Sequence, residues 1–190
     1  MIRNYAEYRE YVEEDMHHVF SRKPSITERV KSPTWRYQHL LRRCEWIRNT
    51  RHFPYLTNLF YFFNKFRLRR MGIRLGFSIS ENTCGKGLSL PHYGSIIIHP
   101  DCRIGENCRI HAGVNIGSDA RGDGVPRIGN NVYIGPGAKI FGGISIGDNC
   151  AIGANAVVNR SFPDGVTLGG VPARVISEND SAGIIRRYEW

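Results

Sequence analysis

From Ile98 onward the chain carries an apolar residue at every sixth position. Ile98, Ile104, Ile110, Ile116, Ile128, Ile134, Ile140, Ile146 and Ile152 hold a single phase, and Val158 extends it. Neither a helix nor an alternating strand has that period. Four residues after each beat stands a small or β-branched partner: Cys102, Cys108, Val114, Ala120, Val132, Ala138, Ile144, Cys150 and Ala156. A chain that turns a corner every six residues directs both sets inward and stacks like on like. The pattern therefore predicts a mainly β fold, a parallel β-helix with three sixes to each triangular coil. Gly, Asn and Asp follow the isoleucines because corners need residues that tolerate unusual backbone angles.

The beat is disturbed in two places. Between Ile116 and Ile128, GSDARGDGVPR keeps the phase but sets Gly122 where an apolar residue belongs, which predicts a loop pushed out of one corner over residues 118–127. Its charged residues Asp119, Arg121, Asp123 and Arg127 suit either an acceptor-binding loop or a solvated excursion. Just before Ile98, the stretch LPHYGSIII breaks the frame around His92.

The amino-terminal part follows another rhythm. Residues 4–20, 34–49 and 55–71 predict helices; Ser25 with Glu28 forms a capping-box pattern, and Pro33 and Pro54 mark starts. Of 21 glycines only Gly72 and Gly76 precede residue 85, so tight turning belongs to the later part. The expected division is a basic helical segment over 1–77, a β-helix over 78–176 and a tail over 177–190 that either caps the open coil or moves freely.

Charge divides near the same place. Residues 1–78 hold 16 Lys+Arg against 7 Asp+Glu and residues 79–190 hold 10 against 10, so the formal charge of +9 is amino-terminal. Such a segment suits an anionic membrane surface, a phosphorylated substrate or plain solvated helix faces, and no nucleic-acid motif accompanies it. In the third helix Leu59, Phe60, Phe62, Phe63 and Phe66 accompany Lys65, Arg67, Arg69 and Arg70. That helix either packs its aromatics on the first coils or a trimer contact, or lies at a membrane interface.

The first twenty residues lack the apolar core of a signal peptide, and NLFYFF is too short to span a bilayer. The expected location is cytoplasmic, with peripheral contact at the inner face of the membrane. Five cysteines at irregular spacing form no CxxC pattern and suit a reducing compartment. Cys102, Cys108 and Cys150 fall at the small inward position, where a buried, inert thiol is expected.

The run from Leu88 to Ile176, closed by GGVPARVI, resembles the hexapeptide-repeat acyltransferases. The resemblance implies a left-handed helix, homotrimeric assembly and acetyl-CoA as co-substrate, with no metal. LPHYGSIII is similar to the serine acetyltransferase pattern in which the histidine is the general base, so it implies that role for His92. Of the other histidines, His17, His18, His39 and His52 lie in the helical segment, and His99 and His111 sit at corners as exposed surface residues. A zinc site of the γ-carbonic anhydrase kind would need three converging histidines, and the spacing of His92, His99 and His111 does not resemble it.

Coenzyme A, by the same resemblance, lies against Gly117, Ser118, Pro136, Gly137, Ala154 and Asn155, with Lys139 or Arg174 meeting phosphate. FRLRRMGIRLGFSISENTCGKGLSLPH and RGDGVPRIGNNVYIGPGAKI resemble relatives of surface-polysaccharide synthesis, whose acceptors are expected to be sugars. Serine acetyltransferases place an aspartate where this chain has Pro91 and an arginine-histidine pair where it has Gly124 and Val125. These departures point to a sugar hydroxyl of a capsule, exopolysaccharide or O-antigen precursor as acceptor, with serine as the alternative. The aspartate that orients the histidine aligns with Ser78, leaving Glu81, or a residue of a neighbouring subunit, as the orienting group; Asp101, Asp119, Arg121 and Asp123 are further orienting or acceptor-binding candidates. The chain ends in Trp190 rather than isoleucine, so no complex with cysteine synthase is expected.

Overall fold

The computed structural model describes residues 1–50, 54–122 and 124–190, so His52 and Asp123 lie outside the described residues. Four helices come first: α1 (Tyr5–Val19), α2 (Ile26–Lys31), α3 (Pro33–Asn49) and α4 (Pro54–Leu75). Each start has a local cause. Asn4 accepts from Glu7 N at the head of α1, Ser25 and Glu28 close a reciprocal capping box on α2, and Ser32 caps α3 ahead of Pro33. The third predicted helix extends from residue 71 to Leu75. Gly72 sits inside it because a Cβ there would meet Phe77 O at 2.6 Å, and Gly76, at φ 79°, begins the left-handed exit.

The repeats then wind into three parallel sheets, the left-handed parallel β-helix expected. One face stacks Phe77–Ser78, Ile96–Ile98, Asn115–Gly117, Lys139–Phe141 and Val157–Val158. A second stacks Arg103–Ile104, Arg127–Ile128 and Ser145–Ile146, and a third stacks Arg109–Ile110, Tyr133–Ile134, Ala151–Ile152 and Thr167–Gly170. Strand Ala173–Ser177 closes the third face by pairing antiparallel with Thr167–Gly170. In register, Ile98 lies beside Ile116 and Ile116 beside Ile140, so each isoleucine of the beat buries its side chain on its counterpart in the next coil. Burial of one such side chain contributes roughly 1.5–3 kcal/mol.

Corners repeat as strictly as faces. Asn107, Asn131 and Asn149 adopt φ of 55°, 53° and 57°; the Asn107 amide donates to Asn131 Oδ1 at 3.1 Å and the Asn131 amide to Asn149 Oδ1 at 2.9 Å. Asparagine tolerates this left-handed conformation, and its ladder links successive coils. All five cysteines are buried, and burial pushes the Cys108 thiol up to about 12 and Cys102 up to about 11. One inward position differs from the expected pattern. Ala120 is exposed because it lies in the extruded loop, and buried Pro126 fills the slot ahead of Ile128 that Cys102 fills ahead of Ile104.

The helices close the first coil. Arg42, wholly buried, donates to Asp15 at 2.8 and 3.2 Å, to Glu45 at 3.0 Å, and to the carbonyls of Cys84 and Gly85 at 2.9 and 2.5 Å. Asp15 accepts from Leu88 N, Glu45 from Asn82 N, and Gln38 donates to Leu88 O. Burial alone would lower the pKa of Arg42, but Asp15 and Glu45 beside it reverse this and raise it. The carboxy-terminal tail neither caps the far coil nor runs free. Ser181 bonds the carbonyls of Asn149 and Asn131, Arg187 pairs with Glu14 at 2.8 Å, and Trp190 stacks on His17 at 4.3 Å. It straps the corner ladder to α1.

Arg42→Met would strand two buried carboxylates against backbone amides of the first coil. It is expected to cost ~3–5 kcal/mol in urea unfolding. A loss below ~1 kcal/mol would show that the cap is not held by this charge.

Candidate active site

The disturbed frame around His92 has a geometric basis. Ser89 lies beside Arg109 and Ile97 beside Asn115, so residues 91–95 turn the corner that residues 111–113 turn in the next coil. The first corner is thus two residues longer and bulges outward, and His92 stands exposed upon it. Gly94, at φ 137°, lets the bulge rest on the coil above, where a Cβ would come 2.9 Å from Ala112. The corner is wide because of its length and close-fitting because of its glycine.

Stacking then builds a ring column along this edge. His92 and His111 lie with ring centroids 6.0 Å apart, and His111 lies 5.1 Å from Tyr133 in the following coil. Arg109 Nε donates to His111 Nε2 at 3.4 Å. A nitrogen that accepts carries no proton, so neutral His111 holds its hydrogen on Nδ1. Burial holds the pKa of His111 below the usual imidazole value, with the Arg109 and His92 charges lowering it further. His111 is therefore a partly buried member of a polar column, not the exposed surface residue expected from its corner position.

The expected coenzyme residues divide between two edges of one sheet. Pro136, Gly137, Ala154 and Asn155 form the same edge as His92 and His111, one coil above another. Lys139 joins them, its ammonium donating to Gly113 O between the two corners. Gly117 and Ser118 lie at the opposite edge, where a Cβ on Gly117 would touch His99 Cβ at 3.7 Å. Arg174 stands apart, exposed on the closing strand. Small residues do line the His92 edge, and Pro136, Ala154 and Asn155 are open to solvent there.

The candidate orienting groups do not gather at His92 within one chain. Glu81 is buried under α4, its Oε1 paired with Lys65 at 2.5 Å and its Oε2 with Arg48 at 3.5 Å. Asp101 lies at the far edge beside His99, whose Nδ1 accepts from Asp101 N at 3.2 Å. Asp119 shapes the extruded loop by accepting from Arg121 N and Gly122 N at 3.1 and 3.0 Å, and Arg121 is exposed. Arg109 and Tyr133 escaped sequence reasoning. Each simply precedes an inward isoleucine, and only coil stacking sets it beside a histidine.

The sequence profile described as bacterial transferase hexapeptide (six repeats) matches residues 126–160, and hexapeptide repeat of succinyl-transferase matches residues 95–121. The serine acetyltransferase of Staphylococcus xylosus is 40% identical over 97 residues, which cover 50% of this chain and 45% of that one. The chain thus spans about half the length of the curated relatives it matches. The crystal structure of serine acetyltransferase from Brucella abortus strain S19 superposes with a TM-score of 0.74 at 26% identity, covering 93% of this chain and 72% of that one. The same enzyme is also solved in complex with coenzyme A. This chain is similar to serine acetyltransferases over half of its sequence and most of its fold. The Neisseria gonorrhoeae serine acetyltransferase in complex with serine superposes with a TM-score of 0.69 at 28% identity, covering 89% and 69%.

These findings overturn the sugar acceptor, and with it the expected role in polysaccharide biosynthesis. The curated relatives and the solved structures named above are serine acetyltransferases. The error lay in treating positions 91, 124 and 125 as the sole source of charged contacts. Stacking brings the Arg109 guanidinium to the His92 edge from the next coil, a contact that the missing motif residues do not exclude.

Replacing Arg109 by methionine removes both a donor and a positive charge from His111. The ring is expected to titrate higher in the variant, and its Nε2, unprotonated in the parent, to lose its fixed tautomer, both read from imidazole nitrogen shifts by NMR. An unchanged titration would separate the two side chains electrostatically.

Proposed function

We propose that this chain is an acetyl-CoA-dependent O-acetyltransferase whose acceptor is L-serine, with His92 as general base. The observation that carries this reading is the placement of His92 on its lengthened corner beside His111, which accepts from Arg109. The similarity to serine acetyltransferases over nearly the whole chain supports it.

In the proposed reaction an unprotonated His92 nitrogen takes the hydroxyl proton as serine Oγ attacks the thioester carbonyl. The tetrahedral intermediate collapses by breaking the C–S bond, and the imidazolium returns its proton to the departing thiolate. O-acetylserine and free coenzyme A result, and the residue is restored. Backbone amides of the corner are the expected donors to the oxyanion. His111, neutral and with its proton on Nδ1, can donate toward the acceptor without a charge that would repel the imidazolium. Arg109 offers the substrate carboxylate a cationic partner. Lys139 and the small residues Pro136, Gly137, Ala154 and Asn155 would hold the coenzyme along the same edge, where small side chains let a pantetheine arm approach the backbone.

The proposed assembly is a homotrimer. It would account for the division of the coenzyme residues, since a second copy could bring the edge of Gly117 and Ser118 toward the His92 edge of its neighbour.

Release of free coenzyme A thiol from acetyl-CoA is the test, with L-serine and a panel of sugars as acceptors in parallel. Serine is expected to support release and the sugars not. His92→Ala is expected to lower kcat by ~10²–10⁴. Arg109→Met is expected to raise the KM for serine by roughly 10–100-fold, the loss of one charged hydrogen bond. Full activity in His92→Ala would remove the base from the mechanism, and release with a sugar alone would remove serine.

A further inference from the structure

Two features of α3 and α4 take no part in the edge around His92. The first is a groove of about 580 Å³ between these helices, whose walls include Arg36, Arg43, Arg67, Arg70 and Arg74. Leu40 and Met71 supply part of its apolar lining, and among the described residues no Asp or Glu lines it. Among the described residues none of these five arginines has a carboxylate within ion-pair distance. Arginines brought this close without counterions repel one another, and an anion would relieve that repulsion.

The second feature is the outer face of α4. Its inward face is settled, with Tyr61, Asn64, Leu68 and Gly72 buried against the rest of the chain. On the opposite side Leu59, Phe62, Phe63, Phe66 and Ile73 are 57–74% exposed, at spacings that place them on one stripe. The expectation that these aromatics pack on the first coils is not met within the chain. Helical position sets the stripe directly beside Arg67, Arg70 and Arg74, and the Arg67 guanidinium lies 5.6 Å over the Phe63 ring. A continuous surface therefore runs from exposed apolar rings to unpaired cations.

We propose that α4 and the arginine groove form a membrane-binding face for anionic phospholipid, with the phenylalanines entering the acyl boundary and the arginines meeting lipid phosphate. Charge favours an anionic occupant over self-pairing of this face. α4 contains no acidic residue, and Arg69 and Arg70 flank its apolar stripe, so two copies of this face would bring like charges together. An anionic bilayer presents apolar chains and phosphates at the depths this surface requires. No helix of the described residues is long and apolar enough to cross a membrane, so α4 lies on the surface rather than through it. The proposal is independent of which acceptor is acetylated.

The experiment is flotation of the full chain with phosphatidylcholine vesicles and with vesicles in which a third of the lipid is phosphatidylglycerol. Three proteins are compared: the parent, Arg67→Gln/Arg70→Gln/Arg74→Gln, and Phe62→Ser/Phe63→Ser/Phe66→Ser. Each substituted side chain lies on the surface, and the circular dichroism and mass of each variant report its fold and assembly. The parent is expected to float with the anionic vesicles only. Loss of three cations near the surface, each contributing about fivefold, should weaken partitioning about a hundredfold. The serine variant should lose the binding that persists at high salt. Inorganic phosphate at matched ionic strength should not displace the vesicles, whereas full displacement would assign the groove to a soluble phosphate and overturn the proposal. It is equally overturned if the parent ignores anionic vesicles, if neither variant weakens binding, or if the serine variant changes the assembly while the parent binds no vesicle, which would give the face to a second copy.

Discussion

Every coil of a parallel β-helix satisfies its backbone through the coils on either side, so the first coil presents an edge of amides and carbonyls with nothing beyond it. Arg42 answers that constraint. Its guanidinium bonds the carbonyls of Cys84 and Gly85 while Asp15 and Glu45, which hold it, accept from the amides of Leu88 and Asn82. An unpaired edge of this kind is costly when buried and prone to further pairing when exposed. A helical cap with one cation and two anions removes both liabilities. The charges are themselves expensive to bury, and they persist because each is bonded by more than one partner.

The rest of the architecture follows from that start. With the first coil held at a defined height by α1 and α3, the corner at residues 91–95 is held as well, and the exposed His92 ring stands 6.0 Å from that of His111. The tail returns to α1 through Arg187 and Trp190, so the helices are tied to the corner ladder further up as well as to the first coil. A β-helix is rigid along its axis, and a site built on one edge inherits that rigidity. The long corner departs from strict stacking by two residues, and it is what leaves the imidazole exposed.

Much of the fold was legible because six-residue periodicity is a local property repeated many times. One slip would turn every later isoleucine outward, so the pattern is self-checking. Cys102, Cys108 and Cys150 were readable as core for the same reason. Ala120 was misread because phase continues through an inserted loop even when the wall does not, and Pro126 takes its slot. His92 stood out by breaking the frame. His111 did not, since a corner residue is ordinarily exposed and nothing local announces a neighbour nineteen residues away.

The sequence by itself determined the period, the corners, the helical front and the identity of the histidine on the irregular turn. These depend on short-range chemistry: backbone tolerance of Asn and Gly, capping by Ser, and apolar burial at fixed spacing. Only the tertiary structure decided what stands beside His92. It set His111 there, and brought Arg109 and Tyr133 to His111, because parallel coils place residues from successive turns side by side, whatever separates them along the chain. The same long-range pairing committed Glu81 to Lys65 and Arg48, away from the histidine it was expected to orient. Spacing predicts which residues point outward, and stacking alone selects their neighbours.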